Sequence, residues 1–365
     1  MTMRPENLHA EPLLRFGKPY ADIWKIKTDF HTQNRILLSE RKRIAEIYSQ
    51  QPLRSVCKIC EQKIREGDTT FISHGIKYIV CSHCGHLNGA YQETAAFSEQ
   101  VYEQDDYGKV YRGETEERNA YKERVEAVYL PKAKFMVEAM TSSMPEQTLN
   151  RMRFLDVGAG SGYFVAAMQQ LGLHAQGIEI SADQVRWGSQ FVDEGALVRL
   201  AYNDIVKRIL NAKEEVVSFI GVLEHIVDLH EVLQAIEDNP HIRYVFFSVP
   251  LFSYSAIFES VHPAVFNRQL GGTHTHLFTN ESIEWLCGRF NWKMLGAWYF
   301  GTDIADMIRM VMVEAEMAGN QELSSYFKDK VAQILDQLQI VIDQQKFCSE
   351  VHMLVQKKDN IQSIT

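Results

Sequence analysis

Four cysteines stand in two pairs, Cys57-Lys58-Ile59-Cys60 and Cys81-Ser82-His83-Cys84, with 20 residues between the pairs. Four thiolates at this spacing suit one tetrahedral Zn²⁺. Such a site is closed to water, so the zinc expected at Cys57, Cys60, Cys81 and Cys84 is structural. Gly85 follows the second pair, as a tight turn around a metal favours. Thr69 to Ile72 and Lys77 to Val80 pattern as short strands, and the whole segment resembles a zinc ribbon. Two disulfides are the alternative. The first residues lack the apolar stretch of a secretory leader, so a cytoplasmic setting is expected, where disulfides are rare. Cys287 and Cys348 are isolated and are expected to be small buried apolar residues.

A second constellation is Leu155-Asp156-Val157-Gly158-Ala159-Gly160-Ser161-Gly162-Tyr163. An apolar strand enters a glycine-rich turn, and an apolar helical pattern follows from Phe164. Glycine lets the backbone take positive φ and lets a ligand come close to the main chain. The helix N-terminus beyond it offers free N–H groups to a polar or anionic group. The next strand, Ala175 to Ile180, delivers Glu179, 17 positions after Gly162. A carboxylate there is placed to hold the two hydroxyls of a ribose. Together these residues describe a nucleoside cofactor site on a parallel α/β sheet.

The elements that must position this site follow in order. Glu214 to Gly221 patterns as a buried fourth strand, Arg243 to Val249 as a fifth, Trp292 to Phe300 as a sixth and Glu350 to Val355 as a seventh, antiparallel strand. The glycine spacing, Gly158-x-Gly160-x-Gly162, is one residue shorter than the dinucleotide fingerprint. With Asp156 ahead of it, the turn resembles motif I of the class I S-adenosylmethionine-dependent methyltransferases. Val222-Leu223-Glu224-His225 is similar to the segment after strand four of many small-molecule members. Thr273 to Ser282 resembles the H-x-F-(S/T)-x-x-(S/T) stretch that opens their last helix. The resemblance covers about residues 125–356, with one insertion. A zinc ribbon ahead of such a core is similar to the sugar C-methyltransferases of deoxysugar pathways and to related enzymes of surface-polysaccharide clusters. The chain departs from them in having about 50 residues before the ribbon, and their large C-terminal domain is not expected among these 365 residues.

The resemblance implies an α/β fold: a Rossmann-like sheet of seven strands, the last antiparallel. The apolar pattern at Ile36, Leu37, Leu38, Ile44, Ile47 and Tyr48 gives an expected N-terminal helical segment at 1–54, followed by the ribbon at 55–90 and an expected tyrosine-rich linker and lid helix at 91–145. The cofactor domain is expected at 146–301 and 347–358, with a helical insertion at 302–346. Cofactor contacts are expected from Asp156, Gly158, Ala159, Gly160, Gly162, Glu179, Ile180, Asp204, Gly221 and Val222, with Asn203 competing with Asp204 for the adenine amino group. Methyl transfer to a hydroxyl or an acidic carbon needs a base, and histidine suits neutral pH. His225, His276, His274 and His262 all follow strands four or five. His225 and His276 match family positions and lead as catalytic residues, with Glu224 to orient a histidine or hold substrate. Tyr102, Tyr107 and Tyr111 are candidates to close over the cofactor.

The expected acceptor is a small molecule, with a nucleotide-linked sugar implied by the resemblance. An RNA or protein methyltransferase using the ribbon for recognition is the alternative. A formal charge of −9 argues against a broad phosphate-seeking surface, although residues 1–60 carry 11 Lys+Arg against 6 Asp+Glu. No run of about 18 apolar residues exists, so no membrane partner is expected. Val331, Ile334, Leu335, Leu338, Val341 and Ile342 form one apolar stripe at helical spacing. That stripe packs internally or, in a homodimer, through the 302–346 helices.

Overall fold

A computed structural model describes residues 11–19, 33–98, 100–101, 118–142, 144–271 and 274–358. Its main sheet has eight strands in the order β1-β11-β12-β9-β8-β5-β6-β7. They are β1 Leu13–Phe16, β5 Arg153–Val157, β6 His174–Glu179, β7 Leu197–Arg199, β8 Val216–Ile220, β9 Tyr244–Pro250, β11 Trp292–Phe300 and β12 Glu350–Lys357. Only β12 runs antiparallel, between β9 and β11. Every residue of β9 is buried, as a strand covered on both faces requires. The sheet order reverses between β5 and β8, and a ligand crevice opens at such a switch point beyond the strand C-termini.

Seven of these strands fall where the sequence places them. The eighth is a departure from the expected helical segment at 1–54. Leu13–Phe16 adds in parallel to β11, with Leu13 opposite Gly296. The Trp298 indole N–H donates to Gly17 O at 2.9 Å and fastens its end. A four-residue edge strand is too short to carry a periodic signal. The helical pattern around Ile44 and Tyr48 is real and forms the helix Asn34–Ser49.

The second sheet runs β10-β4-β3-β2, with β2 Thr69–Ser73, β3 Ile76–Val80, β4 Leu87–Gly89 and β10 His276–Leu277. The first three belong to the ribbon, whereas β10 comes from the segment after strand β9. Its register sets His276 opposite Asn88 and Leu277 opposite Leu87. Ile76, Tyr78 and Leu87 bury against Ile44, Tyr48, Phe97, Leu270 and Leu277. The ribbon is therefore built into the molecule through a shared sheet.

Residues 118–141 make one helical run, with Arg118–Arg124, a π turn at Val125–Tyr129 and Leu130–Thr141. The π turn sits just before Pro131, whose missing N–H cannot donate back into the preceding turn. Three helices, Asp303–Met317, Gln321–Ala332 and Leu335–Gln344, fill the insertion before β12. The expected stripe is split there by a break between the second and third helices. Leu335 is buried with Val331 and Ile342 against it, while Ile334 and Val341 are exposed. Among the described residues no helix is long and apolar enough to cross a membrane.

Candidate active site and metal centre

The glycine turn lies between the end of β5 and the helix Tyr163–Gln170. Gly158, Gly160 and Gly162 have φ of 69°, 56° and 74°. The N–H groups of Gly158 and Ala159 both donate to Ile178 O, at 2.9 and 3.0 Å, and tie the turn to β6. A Cβ at Gly158 would lie 2.7 Å from Val222 Cγ2, so the loop after β8 packs directly on the turn. This contact brings Val222, next to Gly221, beside Gly158.

Glu179 ends β6 and is buried. Its Oε2 accepts from Gly160 N at 2.9 Å and its Oε1 from Ser181 N at 2.8 Å. Each carboxylate oxygen keeps a further acceptor site, so Glu179 can shape the turn and still receive ribose hydroxyls. Tyr121 stacks on Tyr163 and Phe191 at 4.5 and 3.8 Å, and its hydroxyl donates to Ser161 O at 2.9 Å. That clamp on the turn was not foreseen, because it spans 40 residues. Tyr102, Tyr107 and Tyr111 lie outside the described residues.

Asp156 is buried and its Oδ1 accepts from Ser218 Oγ at 2.7 Å across β5 and β8. Burial pushes its pKa up to about 7, helped by Glu179 and opposed by Ser218 and Lys132. Ile180 is half-buried at the end of β6. Asn203 and Asp204 are exposed on a 3₁₀ turn after β7, and Ile205 packs on the core beside them. Tyr202 of the same turn accepts from Val227 N at 3.1 Å, which joins the β7 and β8 loops.

The expected catalytic residues divide into two places. Glu224 and His225 sit on a 3₁₀ turn just after β8. His274 joins them, its ring stacked on that of His225 at 5.3 Å between centroids. One ligand atom from each of Glu224, His225 and His274 lies within 4.8 Å of the others. Glu224 is buried, and its Oε2 has no hydrogen-bond partner. Burial pushes its pKa up to about 8, with Glu350 adding to the rise. Burial also drives His274 well below the usual histidine range, and the neighbouring His225 adds to that fall. A neutral imidazole can accept a proton.

His276 is in the other place. It is fully buried, and its Nδ1 meets His86 Nε2 at 3.0 Å in the seam between β10 and the ribbon. It is not part of the group at Glu224. Strand alternation would set residues two apart on one side, but β10 begins only at His276 and His274 lies before it in a separate bridge to Gly271, so the sequence does not say which of the two meets β8. His262 is elsewhere again, with Nδ1 2.8 Å from Glu314 Oε1. Thr279 and Ser282 close a capping box on the helix Asn280–Arg289, as the H-x-F segment implies.

The four-cysteine centre has the geometry of a zinc site. All four side chains are buried, and the Sγ atoms lie within 4.8 Å of one another. Cys57–Cys84 and Cys60–Cys81 are each 3.6 Å apart. Sulfurs about 2.3 Å from one tetrahedral zinc sit about 3.8 Å apart, whereas a disulfide needs about 2.05 Å. The cysteines are free, so the donor set fits Zn²⁺ and not a disulfide pair. The two knuckles share a shape. Glu61 N donates to Cys57 O and Gly85 N to Cys81 O, with φ of 58° and 75°. Asn88 Nδ2 donates to Cys57 Sγ at 3.4 Å and so supports a thiolate.

Residues 127–296 match a family model described as a methyltransferase domain. No curated protein matches the chain. Similar solved structures include the magnesium protoporphyrin IX methyltransferase from Synechocystis PCC 6803 with bound SAH, 11% identical over 70% of this chain and 94% of that one, with a TM-score of 0.43. The plantazolicin methyltransferase in complex with SAH is 13% identical over 72% of this chain and 93% of that one, with a TM-score of 0.41.

Proposed function

This chain being a class I S-adenosylmethionine-dependent methyltransferase, we propose that it methylates a small-molecule acceptor seated at Glu224, His225 and His274. The cofactor supplies an electrophilic methyl group on a sulfonium centre. The chain's own residues must then hold the acceptor in line, exclude water and let a proton leave.

For the cofactor, we assign backbone contacts to Gly158, Ala159, Gly160 and Gly162 and the ribose hydroxyls to Glu179. Ile180, Asp204, Gly221 and Val222 line the adenine side and the wall after β8. Asp156, paired with Ser218, holds the turn in place. On the acceptor side, the observation that carries the reading is the meeting of Glu224, His225 and His274 within 4.8 Å, one loop away from Gly158. Two imidazoles and a buried carboxylate are a proton-handling set. The histidine role therefore falls to His225 and His274, and His276 becomes a residue that positions the β10 strand. The reacting group of the acceptor is a hydroxyl or an acidic carbon, since both release a proton.

The sugar nucleotide as acceptor rests on the resemblance of the ribbon and core to sugar C-methyltransferases. The charge of −9 favours it over RNA. The test is formation of S-adenosylhomocysteine by the zinc-replete protein with a panel of nucleotide sugars. Turnover is expected with at least one of them. His225→Ala and His274→Ala are expected to lower kcat by about 10²–10⁴-fold while cofactor affinity holds. Wild-type kcat in both variants would remove the proton-handling role.

A further inference from the structure

We propose that Glu224, His225 and His274 form a second metal site, separate from the four cysteines, which takes a divalent cation of the Mn²⁺, Fe²⁺ or Co²⁺ type and binds a hydroxyl of the acceptor. This deepens the reading of the same cluster as the acceptor site, and it rests on that reading.

The geometry points to an ion in three ways. First, the three candidate ligand atoms already lie within 4.8 Å of one another, and Glu224 Oε1 is 3.9 Å from His225 Nε2. Donors about 2.1 Å from one ion sit about 3–3.5 Å apart, so small side-chain rotations close the site. Second, His274 Nδ1 lies 3.2 Å from Gln269 O. A carbonyl can only accept, so Nδ1 carries the proton and Nε2 keeps its lone pair. A backbone carbonyl in this position is the usual outer support of a metal-bound histidine. Third, Glu224 is buried and its Oε2 has no hydrogen-bond partner. An ion at the cluster supplies the positive partner that a buried carboxylate needs.

The donor set also chooses the ion and the ligand. Two imidazoles with one carboxylate suit a transition cation better than Ca²⁺ or Mg²⁺. Three protein ligands leave coordination positions open, unlike the closed cysteine centre. The His225 side chain is 24% exposed, so the cluster can be reached from solvent. An open position favours an oxygen ligand, which makes the acceptor group a hydroxyl. With their lone pairs on the ion, His225 and His274 act here as ligands and not as proton acceptors: the hydroxyl proton leaves to water, the oxygen lone pair forms the bond to the methyl carbon, and the methyl–sulfur bond breaks with its electron pair going to sulfur.

The experiment titrates the zinc-replete protein with MnCl₂ and follows free Mn²⁺ by electron paramagnetic resonance. Thiolates take Mn²⁺ poorly, so the cysteine centre does not interfere. One saturable site per chain is expected. Its affinity should fall about 10–100-fold in Glu224→Gln and in His274→Ala, and should hold in His262→Ala. S-adenosylmethionine binding by each variant verifies that it is folded. Lack of a saturable site, or equal affinity in folded Glu224→Gln and His274→Ala, overturns the cation. Methyl transfer that persists when a chelator removes Mn²⁺ but leaves the ribbon zinc also overturns it, and leaves the acceptor site intact. Mn²⁺ binding without methyl transfer to any hydroxyl compound would instead overturn the acceptor reading on which the inference rests.

Discussion

Asp156 shows how one buried carboxylate reports on the site. Its folded pKa, pushed up to about 7, stands above the value near 3.9 of an unfolded chain. The folded state therefore holds more protons than the unfolded state between those values. Stability contributed at this position is present below about pH 4 and is lost as the pH rises to about 7. Asp156→Asn is expected to flatten that decline in a series of denaturant melts from pH 4 to 8. An unchanged slope would mean that Asp156 is already ionised when folded. Gly158 tests the turn itself. Its φ of 69° and the 2.7 Å approach of Val222 to an added Cβ leave no room for a side chain. Gly158→Ala is expected to cost about 1–3 kcal/mol of stability and to weaken cofactor binding in calorimetry. These residues were legible because the strand, the turn and the helix are contiguous in sequence. His274 was only one candidate among four, since its partner His225 is 49 positions away.

At the scale of elements, the junction between ribbon and core rests on Glu93. It pairs with Arg54 Nη2 at 2.7 Å and Lys58 Nζ at 3.1 Å, all nearly out of solvent. Thr275, between His274 and His276, donates its hydroxyl to the same carboxylate. Glu93 thus joins the cysteine knuckle to the segment that carries His274 and leads into β10. Glu93→Ala leaves two buried cations unpaired, and a loss of about 3–5 kcal/mol is expected by chemical denaturation. A loss below 1 kcal/mol would show that water replaces the carboxylate. Nothing in the sequence pattern revealed this junction, because Glu93 and Thr275 are 182 positions apart. The long apolar strands were legible, and β11 begins and ends where its pattern does. β1 and β10 were not, as four and two residues carry no period. The stripe at 331–342 misled for a different reason. Apolar spacing was continuous there, but the backbone breaks at Gln333–Ile334 and turns half of the stripe outward.

For the whole molecule, the cysteine centre belongs to the main core. Cys57, Ile59, Cys60, Cys81 and Cys84 form one cluster with residues such as Leu229, Val232, Ile283 and Leu286. A zinc at that centre therefore stabilises more than the ribbon. Removing it with a thiolate-competing chelator is expected to lower Tm and to leave one calorimetric transition. Two separate transitions would contradict a shared core. The four cysteines and their spacing were legible from the start, whereas the shared sheet was not, since β4 finds its partner β10 only in three dimensions.

The central claim is a cofactor site at the glycine turn next to a separate acceptor site at Glu224, His225 and His274. Calorimetric titration of the zinc-replete protein with S-adenosylmethionine tests it most directly, when repeated on Glu179→Ala and His274→Ala. The account predicts saturable binding to the unaltered chain, a loss of at least about tenfold in Glu179→Ala, and near-native affinity in His274→Ala. No binding to the unaltered chain, or an equal loss in both variants, would contradict it.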